Sequence, residues 1–232
     1  MSITEDRNIS VRKLVSNYIL QASCLKLTKE QNGQLVNKKN VEMDNDFLSA
    51  PLQLAEMLSR FVIECPEGGA VPQFIVGHLI NKIRKDDSKF LSVEGFKDSV
   101  FGTNTTSKKP ADVWEIMSNG KLGELYEITV KTIDYKRLDD CADSLHNQGI
   151  KDKVITFICN LPNDIKSLRL NDNHLTYKGI IFQFIDIKEF IKIIYCMLSQ
   201  SQQVSLMSAI QEFVFNSNRK TKTKDYWKDH FS

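Results

Sequence analysis

The sequence predicts an α/β fold in which a central mixed β-sheet is flanked by helices. Three observations predict it. Asn119-Gly120 lies between apolar runs, Val113, Ile116 and Met117 before it and Leu122, Leu125, Ile128 and Val130 after it, the strongest short-range signal for a β-hairpin. Lys153-Val154-Ile155-Thr156-Phe157-Ile158-Cys159 is a dense β-branched and aromatic run bounded by Pro162, as expected of a strand buried on both faces. Ile180-Ile181-Phe182-Gln183-Phe184-Ile185 is a second such run that passes directly into an amphipathic segment.

The elements follow in chain order. Ser49-Ala50-Pro51 opens a helix with an N-cap candidate and an early proline, and Leu54, Met57, Leu58, Phe61 and Val62 give it an apolar stripe. A second helix spans Val71 to Lys85, and the hairpin comes next. Tyr135 to His146 reads as a polar-faced helix that stops before Gly149. The buried strand, the strand-to-helix unit with its helix from Ile187 to Leu198, and a last helix from Val204 to Phe215 complete the order. The broad stripe of that last helix, Leu206, Met207, Ile210, Phe213 and Val214, suits either a dimer contact or a cover for the sheet.

The hairpin carries the chemistry. With Asn119 and Gly120 as the two loop residues, position i pairs with 239 − i, so Asp112 stands across from Glu127. Paired residues point to one face with Cβ atoms roughly 5 Å apart. Glu127, Thr129 and Lys131 share that face, while Ile128 and Val130 point into the opposite, buried layer. Facing carboxylates cost stability unless a cation sits between them, and two at this separation suit a hard divalent ion such as Mg²⁺.

The arrangement resembles the PD-(D/E)XK nuclease superfamily, with Pro110 and Asp112 (Ala111 between them) matching the first half of its motif and Lys131 the last, and its type II restriction endonucleases are the most similar in scale and layout. The resemblance spans about Pro51 to Leu198 and implies a restriction-endonuclease-like core within an α/β fold. It implies Mg²⁺-dependent hydrolysis of double-stranded DNA, with Asp112 and Glu127 holding metal and Lys131 assisting the attacking water. Two departures stand out: Ala111 separates the proline from the aspartate, and Thr129 occupies the position two before the lysine where the superfamily carries an acid. Either Glu127 serves after a register shift, for which Gly123 offers a bulge, or the second acid lies on the following helix, where Asp139, Asp140 and Asp143 are available. In an unshifted strand Lys131 lies roughly 13 Å from Glu127, too far for one compact site. Glu56, on the helix from Pro51, is a further auxiliary candidate.

The resemblance divides the chain into an N-terminal helical or irregular arm (1–48), a nuclease core (49–200) and a C-terminal helix with a basic tail (201–232), together one compact domain. Net charge is only +2 over 232 residues, so general attraction to polyanions is weak, yet basic residues are unevenly placed. Lys108 and Lys109 precede Asp112, and Arg137 follows the hairpin; these are the candidates for DNA contact. Arg219, Lys220, Lys222, Lys224 and Lys228 crowd the C-terminus around Tyr226 and Trp227, either as a phosphate-neutralising patch or as a solvated tail. Restriction enzymes commonly work as homodimers on palindromic targets, which makes a second copy the expected partner.

Other chemistries are excluded on spacing. His78, His146, His174 and His230 have no partner at ligand spacing, with His174 in a polar Asn-Asp-Asn-His turn. The five cysteines, Cys24, Cys65, Cys141, Cys159 and Cys196, are odd in number and match no zinc or haem motif, which points to free thiols in a reducing compartment. With no secretory leader pattern and no apolar run near ~18 residues, a soluble cytoplasmic protein without membrane partners is expected. Two other readings stay open: a repair or junction nuclease of the same superfamily, and a non-catalytic DNA-binding module with a degraded site.

Overall fold

In the computed structural model, residues 50–85, 87–97, 109–150, 153–170, 172–215 and 218–231 are described. Lys108 and Cys24 lie outside them, as does the arm expected over 1–48. All described elements belong to one compact unit, Asp44–Ser232.

The chain runs α1 (Pro51–Glu64), α2 (Ala70–Arg84), β1 (Phe90–Glu94), β2 (Val113–Met117), β3 (Leu122–Ile128), α3 (Tyr135–Asn147), β4 (Val154–Cys159), β5 (His174–Tyr177), β6 (Ile180–Asp186), α4 (Ile187–Met197), α5 (Gln200–Phe215) and α6 (Thr221–Phe231). The sheet is mixed, as expected, with strand order β1-β2-β3-β4-β6-β5. β1, β2 and β3 form an antiparallel meander; β3, β4 and β6 are parallel; β5 closes the far edge antiparallel to β6. α3 is the crossover that returns the chain to the parallel partner of β3, as a parallel pair requires.

Helices cover both faces of the sheet. Leu138, Cys141, Ala142 and Leu145 of α3 form one core with Leu125, Ile155, Phe157, Phe182 and Phe184. On the other side α1 packs on α4, and α2 on α4 and α5. β4 is buried at every position, in keeping with its unbroken apolar run.

The hairpin reaches the expected register by a different route. Its loop has three residues, not two: Met117 N–H donates to Lys121 O at 2.8 Å, and Gly120 N–H donates to Met117 O at 2.8 Å. Gly120 alone takes positive φ, at 75°, so Asn119 is spared the left-handed conformation. This pairs Ile116 with Leu122, whereas Trp114 pairs with Leu125 and Val113 with Tyr126. A bulge at Gly123-Glu124 opposite Glu115 absorbs the extra residue and restores the register that sets Asp112 across from Glu127.

Glycine is required in that bulge. A Cβ on Gly123 would stand 2.8 Å from Glu115 Cβ and 3.1 Å from Met117 Sδ. Glu115 cannot withdraw, because its Oε1 accepts from Arg84 Nε at 2.9 Å and from the Tyr126 hydroxyl at 2.9 Å. Gly123→Ala is therefore expected to destabilise the protein by about 1–3 kcal/mol, as overpacking does, which at this chain length lowers Tm by about 2–4 °C per kcal/mol. A thermal melt unchanged from wild type would show that the bulge tolerates a side chain.

Three elements were not foreseen. β1 is an edge strand with only Val93 buried and Leu91 64% exposed, so no alternation marks it. β5 places His174 on a strand rather than in a turn; its hairpin to β6 turns on Lys178 and Gly179, both at positive φ, and lysine is an unusual choice there. The basic C-terminus forms α6, whose Trp227 and Phe231 pack against Phe61 of α1 with ring centroids 5.5 and 6.0 Å apart. α5 starts earlier than Val204 because Ser199 and Gln202 cap it reciprocally through Ser199 N–H to Gln202 Oε1 and Gln202 N–H to Ser199 Oγ. Its Leu206, Met207, Ile210 and Val214 are buried within the chain itself, and Phe213 stacks on Phe74 at 4.0 Å, so this stripe covers the body of the protein.

Candidate active site

Asp112 lies just before β2 and Glu127 is the penultimate residue of β3, both within reach of Arg137 on α3. Burial of Glu127, 1% exposed, departs from the ordinary picture of a hairpin whose acids face water, because α3 folds over this face. Arg137, in the first turn of α3, reaches both acids with one nitrogen: Nη2 lies 2.8 Å from Glu127 Oε2 and 3.6 Å from Asp112 Oδ2. The helix start is fixed by Asp134, whose Oδ1 accepts the Arg137 N–H at 2.9 Å as an N-cap.

Asp112 and the segment that leads into it are held from three sides. Its Oδ2 accepts the Ile128 N–H at 3.0 Å, linking the acid across the hairpin. Gln73, 5% exposed on α2, donates Nε2 to Asp112 O at 3.2 Å and to Gly95 O at 2.9 Å. Gly95 sits so close that a Cβ there would be 2.3 Å from Asp112 O. From α3, Ser144 Oγ and Gln148 Nε2 each donate to Lys109 O at 3.2 Å. Neither Gln73 nor Gly95 was singled out from the sequence. Gln73 did carry a signal, as the polar residue on a helix face otherwise made of Val71, Ile75, Val76 and Leu79.

Burial pushes the Glu127 carboxyl up to about 8, and the neighbouring Asp112 charge adds to the rise against the opposing pull of Arg137. Asp112 is also raised by burial, opposed by Arg137, the Ile128 N–H and the nearby charge of Lys109. At neutral pH the cluster thus approaches electroneutrality: two carboxylates, one guanidinium and a proton held largely by Glu127.

This raised carboxyl makes stability pH-dependent. The folded state holds the proton more tightly than the unfolded chain, so the stabilisation is full below the ordinary glutamate value of 4.5 and is lost as pH rises through about 8. In metal-free buffer, wild-type Tm is expected to fall between about pH 5 and pH 8.5, by an amount worth about 2–4 kcal/mol. Glu127→Gln should flatten that slope. An equally steep slope in the variant would assign it to other groups.

The remaining candidates divide clearly. Lys109 is half-buried beside Asp112 and electrostatically coupled to it. Lys131 is exposed; β3 ends at Ile128 and the chain bends at Val130-Lys131, so the straight-strand separation from Glu127 does not apply. Thr129, 5% exposed, extends the ladder by donating its N–H to Ile158 O at 3.1 Å, and its hydroxyl accepts the Lys131 N–H at 3.1 Å. Asp140 is exposed on α3, while Asp143 and Asp139 pair with Lys178. Glu56 is exposed on α1, where its charge acts on Lys192. α3 turns Asp139 and Asp143 toward the β5–β6 turn, where they meet Lys178 and Tyr177.

Among the described residues no group of three or more His, Cys, Asp or Glu is placed to hold a metal ion. Two carboxylates are nevertheless a fitting donor set for Mg²⁺, which takes one or two protein carboxylates and completes its shell with water and phosphate oxygens. His78 is held by Phe74 and Phe96, with ring centroids 4.4 and 4.7 Å away, and burial followed by the charges of Lys97 and Lys82 lowers it to about 4. It packs as a neutral ring. Cys65, Cys141 and Cys159 are buried free thiols. No helix among the described residues is long and apolar enough to cross a membrane.

No family model matches this chain, and no curated protein matches it.

Proposed function

We propose that this protein is a Mg²⁺-dependent, sequence-specific endonuclease of double-stranded DNA, acting as a type II restriction enzyme does. One observation carries the reading. Asp112 and Glu127 are brought across a β2–β3 ladder onto a single cationic group, at the end of a meander followed by a parallel crossover. Such a pair is the minimal acid set for metal-assisted hydrolysis of a phosphodiester.

Asp112 and Glu127 would hold the ion. When bound, Mg²⁺ supplies a Lewis acid for the phosphoryl oxygen and lowers the pKa of its water. Lys109, beside Asp112, and Lys131, on the exposed bend beyond Glu127, contribute compact positive charges toward the phosphate. Gln73, from the helical layer, keeps the Asp112 and Gly95 carbonyls of neighbouring strand segments in register. A symmetric pair of copies would present two such sites to two strands, and the α5 stripe, being buried within the chain, would not form that contact.

A second reading draws on Thr129. The register that places Glu127 beside Asp112 puts Thr129, and not Lys131, two residues after the acid, where an acid-x-lysine triplet would have its lysine. A DNA-binding module with a degraded site would show this pattern. The two readings separate on one experiment, incubation of the protein with phage-sized DNA and Mg²⁺ followed by end mapping. Discrete fragments with uniform ends are expected; retained DNA with measurable binding would favour the binding module.

Lys131→Ala is expected to lower single-turnover cleavage by about 10²-fold or more, the scale of a lost acid–base or phosphate-neutralising group, while leaving divalent-ion binding unchanged. Retained cutting would make Lys131 a surface residue, whose truncation is nearly silent.

A further inference from the structure

We infer that Arg137 is a built-in counter-cation that holds the place of the divalent ion between Asp112 and Glu127, leaves when the ion binds, and is thereby released to the substrate phosphate. The inference rests on the endonuclease reading and adds to it a competition between the protein's own arginine and the metal.

Geometry makes the two cations mutually exclusive. Arg137 Nη2 is 2.8 Å from Glu127 Oε2 and 3.6 Å from Asp112 Oδ2, so one guanidinium nitrogen already occupies the space facing an oxygen of each acid. A divalent ion drawn to the same carboxylates meets a like charge there. Arg137 is the most exposed member of the trio, its side chain 37% exposed against 1% for Glu127 and 20% for Asp112. Glu127 is fixed in a strand, and Asp112 is tied by the Ile128 N–H at 3.0 Å.

The location also argues against a role in helix stability. Arg137 sits in the first turn of α3, where the helix dipole favours anions and disfavours cations. The helix start is already capped by Asp134. A cation here is best explained by the acids it neutralises, since a facing carboxylate pair without one is costly. Once displaced, a guanidinium is suited to a phosphate, whose oxygens it can engage bidentately. The side chain would then move from the acids in the free protein to the DNA backbone in the loaded one.

The test is calorimetric titration of Mn²⁺ into the full chain without DNA. Arg137→Ala is expected to bind the ion about tenfold or more tightly than wild type, because the competing charge is gone. Adding Asp112→Asn should abolish the gain. Arg137→Gln, which keeps hydrogen-bonding reach but no charge, takes the place of the alanine variant if that variant does not fold. In single-turnover cleavage at saturating metal the same variants should be slower than wild type, so that tighter metal binding and weaker turnover appear together. Unchanged or weaker ion affinity in a folded Arg137 variant overturns the competition alone, provided wild-type cleavage remains sensitive to Asp112. Absence of ion binding in both proteins, together with uncut DNA, overturns this inference and the endonuclease reading with it.

Discussion

Asp112→Ala is expected to reduce cleavage by about three orders of magnitude or more, the kinetic equivalent of losing several kcal/mol of metal-mediated stabilisation. Folding should survive. The substitution deprives the Ile128 N–H of its acceptor, an unmade hydrogen bond costing about 1–3 kcal/mol. It also removes a like charge from the side of Glu127, which offsets part of that loss. Arg137 keeps its closer partner at 2.8 Å. DNA binding in metal-free buffer should be close to wild type, since Lys109 and the other basic residues are untouched. Asp112→Asn separates the roles further, because it preserves an acceptor for Ile128 while removing the charge. Near wild-type cutting by either variant would take Asp112 out of the chemistry and most of the functional reading with it.

The second large effect distinguishes Glu127 from the helix acids. Glu127→Ala is expected to cost cleavage several orders of magnitude, whereas Asp140→Ala should be nearly silent. Glu127 is 1% exposed, stands on the Asp112 side of β3 and shares Arg137 with it. Asp140 is exposed, and substitutions at such positions change stability by about 0.5 kcal/mol or less. Asp143 follows Asp140 in this respect, with its carboxylate directed to Lys178 at 3.6 Å. The comparison is made by single-turnover kinetics of the variants side by side. Equal, mild losses would mean that neither is the second acid.

Local features of this protein were legible in its sequence. The Asn119-Gly120 turn, the unbroken apolar run of β4 and the passage of β6 into α4 depend on propensity and short-range periodicity, so the α/β class and the order of most elements follow from residues a few positions apart. The pairing of Asp112 with Glu127 was legible for the same reason, though it arises from a three-residue loop and a compensating bulge at Gly123 that a simple two-residue turn would not require. β1 and β5 escaped notice because edge strands bury little and so impose little pattern. The helical C-terminus escaped because its basic residues outnumber the three aromatics, Tyr226, Trp227 and Phe231, that anchor it on Phe61.

What only the tertiary structure decided is the electrical environment of the site. Nothing within a few residues of Glu127 marks it as buried; the covering layer is α3, which the parallel crossover to β4 lays over that face of the sheet. The same crossover brings Arg137 to acids 10 and 25 positions away in sequence. Gln73 reaches Asp112 from another layer altogether, 39 positions distant. Periodicity reports which face of an element is apolar, but a pKa, a counter-ion and a carbonyl clamp depend on what the rest of the chain places against that face, and that is a property of packing.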